Sequence, residues 1–121
     1  MSAPFFFFDE LRAAGEAPVR VLARVKVLSA EEGGRTSPFQ AKSRPNHNFG
    51  GPENRYFYIG QVEIPEGESV APGETRELMI TFLPVIGIVE ELKLGRRWRI
   101  QEGGKLVAFA EVLAVNSESP N

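Results

Sequence analysis

The sequence lacks most of the residue types from which catalytic and metal sites are built. Among its 121 residues there is no cysteine, one histidine, His47, and one aspartate, Asp9. The absence of cysteine excludes disulfides, thiol nucleophiles and thiolate metal ligands, and it fits a reducing cytoplasm. A zinc site takes three or four His, Cys or carboxylate ligands, and here only glutamates could complete such a set. We therefore expect no metal and no cofactor.

The chain also has no large charge excess and no long apolar run. Its formal net charge is −2 at pH 7, which argues against a broad electrostatic grip on nucleic acid but leaves room for a local basic patch. No apolar stretch approaches the length of a membrane span. The Phe5–Phe8 run is not a signal-peptide core, because no basic stretch precedes it and Asp9 and Glu10 follow at once. We expect one small soluble domain without a membrane partner.

Alternation of apolar and polar residues predicts β-strands along most of the chain. In Val19–Val27 the odd-numbered positions are apolar while Arg20 and Arg24 lie on the opposite face, as in a half-buried strand. Further strands are predicted at Tyr56–Ile64, Thr75–Leu83, Arg96–Glu102 and Lys105–Val115. No helix-period segment of useful length appears. Short strands separated by turn signals are typical of an all-β barrel or sandwich.

Breaker-rich segments separate these strands. Glu31–Phe39, EEGGRTSPF, follows the first strand and is interpreted as a connection, and Gln40–Asn54 as a polar loop. Gly103-Gly104 predicts a two-residue hairpin loop between the last two strands. The last strand, Lys105–Val115, is apolar on both faces, so one face should line the interior and the other should be covered. The predicted faces are Val107, Phe109, Leu113 and Val115 on one side and Leu106, Ala108, Ala110 and Val112 on the other.

The chain divides into three predicted parts: a lead-in over residues 1–18, a barrel over residues 19–115 and a polar, mobile tail over residues 116–121. Within the lead-in, Asp9 could cap a short helical turn at Glu10–Ala14. Four adjacent aromatic residues are a poor sequence for disorder. We interpret them as an interaction segment that docks on the outer face of the last strand, within one chain or across a homodimer. These residues are Phe5, Phe6, Phe7 and Phe8.

No catalytic constellation stands out in the sequence. A Ser-His-Asp relay would require Asp9, His47 and a serine such as Ser37 to meet, and nothing favours that meeting. His47 is instead interpreted as a solvated loop residue. The adjacent pairs Glu31-Glu32 and Glu90-Glu91 are interpreted in the same way, although a glycoside-cleaving pair of carboxylates stays open.

A nucleotide-binding loop is equally unsupported. Gly103-Gly104-Lys105 matches the end of a P-loop, but Leu106 replaces the required Ser/Thr and Arg99 stands in place of the first glycine. We expect neither an enzyme nor a nucleotide-binding protein.

One basic cluster precedes and enters the final hairpin. Arg97 and Arg99 share a strand face, and Lys105 could lie nearby. Such a cluster suits phosphate oxygens, but a solvated strand face paired with glutamates is the more common reason for one. Its members are Lys93, Arg96, Arg97, Arg99 and Lys105.

Ordered motifs from about Leu22 to Val115 resemble the third, C-terminal domain of elongation factor Tu. These motifs are EEGGRTSPF, SRPNHNF, GQVEIPEG, PGE, PVIGI and GRRWRIQEGGKLVAFAEV. The resemblance implies a six-stranded antiparallel β-barrel. In the full-length factor this domain contacts the backbone of aminoacyl-tRNA and the nucleotide exchange factor. GTP is bound by the first domain, which has no counterpart here, so the resemblance implies no GTPase.

The resemblance also implies ligand positions. At the family positions that contact tRNA, Asn46 stands where the family has a glutamine, and Lys105 stands where it has an arginine. Glu102 and Gly103 are the same residues as in the family. Other family positions differ, falling here on Ser43, His47, Leu83 and Gln101, and an insertion lies near Gly50–Arg55. The candidate residues for RNA or partner binding are Arg35, Arg44, Asn46, Arg97, Arg99, Glu102, Gly103 and Lys105.

Two functions remain open at this point. The first is a non-catalytic module that binds tRNA, other RNA backbone or a translation-related protein. The second is a protein-interaction or assembly module that binds no RNA and uses the phenylalanine segment.

Overall fold

The computed structural model describes residues 17–116, and in this range the chain forms a closed barrel. The ring order is β1-β6-β4-β3-β7-β8, and every neighbouring pair is antiparallel. Two further short strands, β2 and β5, pair with each other. The predicted six-stranded antiparallel β-barrel is confirmed. The elements are β1 Val19–Val27, β2 Phe39–Gln40, β3 Asn46–Asn48, β4 Tyr58–Glu63, β5 Ser69–Val70, β6 Thr75–Phe82, α1 Ile88–Glu91, β7 Arg97–Glu102 and β8 Lys105–Asn116.

Most strand predictions hold to within two residues. β1 has the predicted bounds, whereas β4 begins at Tyr58 instead of Tyr56. In β1 and β6 the predicted inward residues form the core because the period of two places every second side chain inside. Glu102 pairs with Lys105 across Gly103-Gly104, so the two-residue hairpin loop is also confirmed.

The connection after β1 is the turn that its sequence predicts. Ser29 caps a single 3-10 turn at Ala30–Glu32: its hydroxyl accepts from the Glu32 amide, and the Glu32 carboxylate accepts from the Ser29 amide. These contacts lower the pKa of Glu32, chiefly through the bond from the Ser29 backbone. Gly33 then reverses the chain at φ 90°, a conformation that favours glycine.

The loop prediction for Gln40–Asn54 is wrong, because this segment contributes the sixth barrel strand, β3. Asn46 pairs with both Ile59 and Gln101, and His47 pairs with Tyr58 and Ile100. A three-residue Asn-His-Asn strand has no apolar alternation, so its place is set by backbone pairing with β4 and β7 and by side-chain hydrogen bonds.

His47 is correspondingly not a solvated loop residue: it is fully buried in the barrel. The Trp98 Nε1 donates to His47 Nδ1 at 3.0 Å, so Nε2 carries the proton of the neutral ring and donates to the Gly60 carbonyl at 3.0 Å. Burial lowers the pKa of His47 to about 4. A Cβ at Gly60 would lie 2.9 Å from the Phe82 ring and 3.1 Å from His47 Nε2, so this close approach requires glycine.

The predicted alternation of β8 is broken by two bulges. Ile100 pairs with Ala108 and Gln101 with Leu106, which leaves Val107 as the extra residue and buries it. A second register shift leaves Leu113 unmatched, and Val115 then aligns with buried Val21. Val107, Phe109, Leu113 and Val115, which were predicted to share one face of the strand, therefore do not share it. Phe109 and Val115 are the exposed large apolar side chains of this strand, at 42% and 45%, and Phe109 lines a groove on the outside of the barrel.

The predicted helical turn at Glu10–Ala14 and the phenylalanine segment lie outside the described residues, as does the tail after Asn116. The barrel strands run from Val19 to Asn116. Among residues 17–116, no helix is long and apolar enough to cross a membrane.

Candidate functional site

Six of the eight predicted binding residues line two separate surfaces. One, the edge pocket, is a depression of about 440 Å³ bordered by β3 and the β7–β8 hairpin. The other, the outer groove, has about 580 Å³ and lies on the outside of β1, β8 and β7. The edge pocket is lined by Ser43, Arg44, Asn46, Gln101, Glu102 and Gly103, and the outer groove by Arg24, Lys26, Arg97, Arg99, Phe109 and the Gly50-Gly51 backbone.

The edge pocket collects positions from distant parts of the sequence. Pairing of Asn46 with Gln101 brings β3 beside the end of β7, and the tight turn then presents Glu102 and Gly103. Arg44 is exposed, and its Nε donates to Gln61 Oε1 at 3.3 Å. The pocket thus combines a guanidinium, a half-buried amide and a carboxylate beside a glycine turn.

Arg35 lies beside this pocket but is mainly a structural residue. Its Nη1 forms an ion pair with the Glu102 carboxylate, and its Nη2 donates to Ser37 Oγ at 3.1 Å and to Pro38 O at 3.0 Å. The guanidinium also lies 4.7 Å from the centroid of the Phe39 ring. Arg35 therefore ties the connection after β1 to the final hairpin and neutralises Glu102. Lys105, by contrast, is exposed opposite Glu102.

The basic cluster predicted from the sequence is not one site. Arg97 and Arg99 do share a face and line the outer groove. Arg96 lies elsewhere, where its Nη1 donates to Glu91 Oε1 and its Nη2 to the Phe49 carbonyl, both at 2.6 Å. Arg96 therefore fixes the segment between α1 and β7 against β3.

The outer groove has an apolar floor and a basic rim. Phe109 and Ala110 form the floor, with the buried Trp98 beneath. Glu111 is the carboxylate of this lining, 3.4 Å from Arg24 Nη1 and 4.0 Å from Arg97 Nε. Outside the lining, Glu77 lies 4.0 Å from Arg24 and Glu32 lies 3.6 Å from Lys26. The groove lining carries four cations and one carboxylate in total, and it is net positive although the whole chain is acidic.

The wall of the outer groove is held by a buried amide network that sequence reasoning missed. Asn48 Nδ2 donates to Gln101 Oε1 at 2.7 Å and to the Gly51 carbonyl at 3.0 Å, while Asn48 Oδ1 accepts from the Gly50 amide at 2.8 Å and from Asn54 Nδ2 at 2.7 Å. Asn48 thereby anchors the loop inserted near Gly50–Arg55. The available signal was an asparagine two residues before a Gly-Gly pair, which favours such a turn.

The described residues offer binding chemistry and no nucleophilic relay. Both ring nitrogens of His47 are engaged inside the core, and Ser37 bonds to Arg35. Asp9, the third member of the relay considered above, lies outside the described residues. Within residues 17–116, no three His, Asp or Glu side chains are placed to hold a metal ion.

No protein-family model matches this sequence. The relation to the third domain of elongation factor Tu therefore remains a resemblance of motifs.

Proposed function

We propose that this chain is a non-catalytic module that binds the phosphate backbone of structured RNA at the edge pocket. The observation that carries the proposal is that Arg44, Asn46, Glu102 and Gly103, which are far apart in sequence, line one pocket. Asn46, Glu102 and Gly103 are positions at which the resemblance implies tRNA contact, and Arg44 is a further candidate beside them. The resemblance supports a role in translation, in the cytoplasm.

The pocket chemistry suits a sugar-phosphate backbone. Arg44 supplies a planar donor group that matches phosphate oxygens, and Asn46 supplies an amide donor. Glu102 has carboxylate oxygens that could accept from a ribose 2′-hydroxyl, the group that distinguishes RNA from DNA. Its ion pair with Arg35 reduces the repulsion that this carboxylate would exert on a phosphate.

The small number of charges at the edge pocket predicts RNA binding that is weak and confined to this pocket. Beyond the engaged Arg35, Arg44 is the cation in the pocket lining, and Lys105 is paired with Glu102 in the adjacent hairpin. Neutralising two phosphates gives a slope of about −2 in log K against log salt concentration. A broad basic surface would give a much steeper slope.

A binding assay with matched variants tests the proposal. Fluorescence anisotropy of labelled tRNA should show binding by the native chain and at least a tenfold weaker affinity for Arg44→Glu, since reversal replaces attraction by repulsion. Arg20→Glu is the control, because Arg20 is exposed on β1 and lies outside the edge pocket. Equal losses for both variants, or no binding by the native chain at low salt, would contradict the proposal.

A protein-interaction module is the second candidate, and exposed apolar side chains in and beside α1 favour it. Ile86 and Val89 are 54% and 56% exposed, and Leu94 is 75% exposed. Large exposed apolar patches mark interaction sites on soluble proteins, and these three residues within nine positions of the chain could contribute to one. Capture of a partner that survives ribonuclease and high salt would favour this candidate, because apolar contacts lack the salt dependence of phosphate contacts.

A further inference from the structure

We propose that the Phe5–Glu10 segment of this chain, FFFFDE, docks in the outer groove. The phenylalanines would cover the apolar floor, and Asp9 and Glu10 would face the basic rim. This surface is distinct from the edge pocket, so the inference stands independently of RNA binding.

The first argument is the composition of the groove. Phe109, which lines the floor of the groove, is 42% exposed, and the Cζ atom of Arg99 lies 5.9 Å from the centroid of its ring. The rim holds Arg24 and Arg97, which share Glu111 as their carboxylate within the groove. An occupant that satisfies this surface needs aromatic or aliphatic bulk joined directly to negative charge.

The second argument is charge complementarity with the N-terminal segment. Phe5–Phe8 are followed without a gap by Asp9 and Glu10. In an extended peptide, neighbouring residues are about 3.3–3.6 Å apart, so both carboxylates lie within one or two residues of the aromatic run. Arginine guanidinium groups bind such carboxylates by charge-assisted hydrogen bonds.

The third argument is reach. Arg24 lies six residues after Pro18, about 20 Å along β1 at the rise of a strand. Phe8 lies ten residues before Pro18, and ten residues span at most about 33–36 Å. A segment that turns back along the outside of β1 therefore reaches the groove with length to spare. Tethering by a short linker gives an effective concentration on the order of millimolar, which favours this occupant over a free one.

The fourth argument is the wall of the outer groove, which distinguishes a specific binding site from an ordinary exposed strand face. Asn48 fixes the Gly50-Gly51 turn by three hydrogen bonds of 2.7 to 3.0 Å to this loop. A Cβ at Gly50 would come within 2.7 Å of the Asn54 Cβ, so the loop packs closely against itself. A preformed wall lowers the entropic cost of ordering the segment.

The absence of cysteine allows a direct test on the full chain. A spin label attached at Ser2→Cys would be the sole label, and the amide NMR signals report its proximity. We expect the signals of Gly50, Gly51 and Phe109 to lose most of their intensity. Gln61 is the internal reference because it lies on β4, three strands from β8 in the ring, and its signal should persist.

Variants then test the chemistry of the contact. In the labelled chain, Asp9→Lys with Glu10→Lys should restore the groove signals to their unlabelled intensity, because the segment then repels the basic rim. When Arg97→Glu and Arg99→Glu are added, both partners have reversed charge, so the segment should bind again and the groove signals should again lose intensity. Serine at all four phenylalanine positions should also restore the signals, whereas Glu16→Lys should not. Unperturbed shifts of the core amides show that each variant remains folded.

Three results would overturn the proposal. The first is equal signal loss at Gln61 and Phe109, which means no preferred location. The second is a groove signal that does not respond to reversal of Asp9 and Glu10. The third is signal loss in isotope-labelled chains mixed with separate spin-labelled chains, because the occupant would then be a second copy.

Discussion

Two parts of the same ring are built on different physical principles. The apolar wall, formed by β1 and β6, buries every second side chain, and its outside is mostly polar or charged apart from the half-buried pair Leu22 and Met79. The polar strand, β3, is a short Asn-His-Asn sequence whose buried side chains, His47 and Asn48, form hydrogen bonds within the protein. The comparison shows that the wall provides stability while the polar strand positions both candidate binding surfaces, since Asn46 lines the edge pocket and Asn48 holds the wall of the outer groove.

Truncation in the apolar wall should produce the largest effect. Ile80 is fully buried on β6, and Ile80→Ala removes its packing and leaves a cavity. We expect a loss of about 4 kcal/mol in the free energy of unfolding, measured by urea denaturation. Met79→Ala is the control on the same strand, since Met79 is only half-buried. A loss below about 1 kcal/mol for Ile80→Ala would show that the wall does not carry the stability.

Removing the side-chain amide of Asn48 should lower the free energy of unfolding by less than Ile80→Ala does, but it should also alter the outer groove. Asn48→Ala leaves the Gly50 amide and the amide groups of Asn54 and Gln101 without this partner. Unsatisfied buried groups cost about 1–3 kcal/mol, and we expect about 2–3 kcal/mol in urea denaturation. Hydrogen exchange should also speed up at Gly50 and Gly51. Loss of stability without faster exchange in this loop would mean that Asn48 does not position the wall.

The polar strand should also make stability depend on pH. His47 has a pKa of about 4 in the folded chain and about 6.5 when unfolded, so the unfolded state binds more protons between these values. The contribution of neutral His47 to the free energy of unfolding is therefore present above pH 6.5 and is lost as the pH falls toward 4. We expect a loss of about 2 kcal/mol between pH 6.5 and 5, measured by urea denaturation across this range.

A matched variant isolates this contribution. His47→Gln keeps hydrogen-bonding groups but does not titrate, so its stability should be nearly constant from pH 6.5 to 5. Equal slopes for the native chain and the variant would assign the pH dependence to other groups.

The smallest effect is expected on the outside of the wall. Arg24 lies 3.4 Å from Glu111 and 4.0 Å from Glu77, but its side chain is 48% exposed. Exposed ion pairs contribute about 0–1 kcal/mol, so Arg24→Ala should change unfolding by less than about 0.5 kcal/mol, as measured in urea. A much larger loss would show that the groove cations serve the fold and not a ligand.

The same contrast explains what the sequence could and could not predict. The alternating valines of β1 predict its bounds and its buried face, because burial on one side requires a period of two. His47 and its neighbours carry no such pattern, and only the partners on β4 and β7 make β3 a strand. The bulges at Val107 and Leu113 likewise depend on the registers of the adjacent strands, so the faces of β8 were mispredicted.

The candidate site was predicted in part for a related reason. The resemblance selected Arg44, Asn46, Glu102 and Gly103, and the fold brings these four around one pocket. Sequence could not show that Arg35 is engaged by Glu102, because the two residues meet only through the closed ring. Nor could it show that Arg97 and Arg99 belong to a different surface, since that depends on which neighbours share their strand face.

An RNA titration observed by amide and side-chain NMR tests the binding proposal most directly. We expect the largest shifts at Asn46, Gly103 and the Arg44 side chain, with little change at Gly50 or Phe109. Shifts confined to the outer groove, or none at low salt, would contradict the claim that the edge pocket binds the RNA backbone.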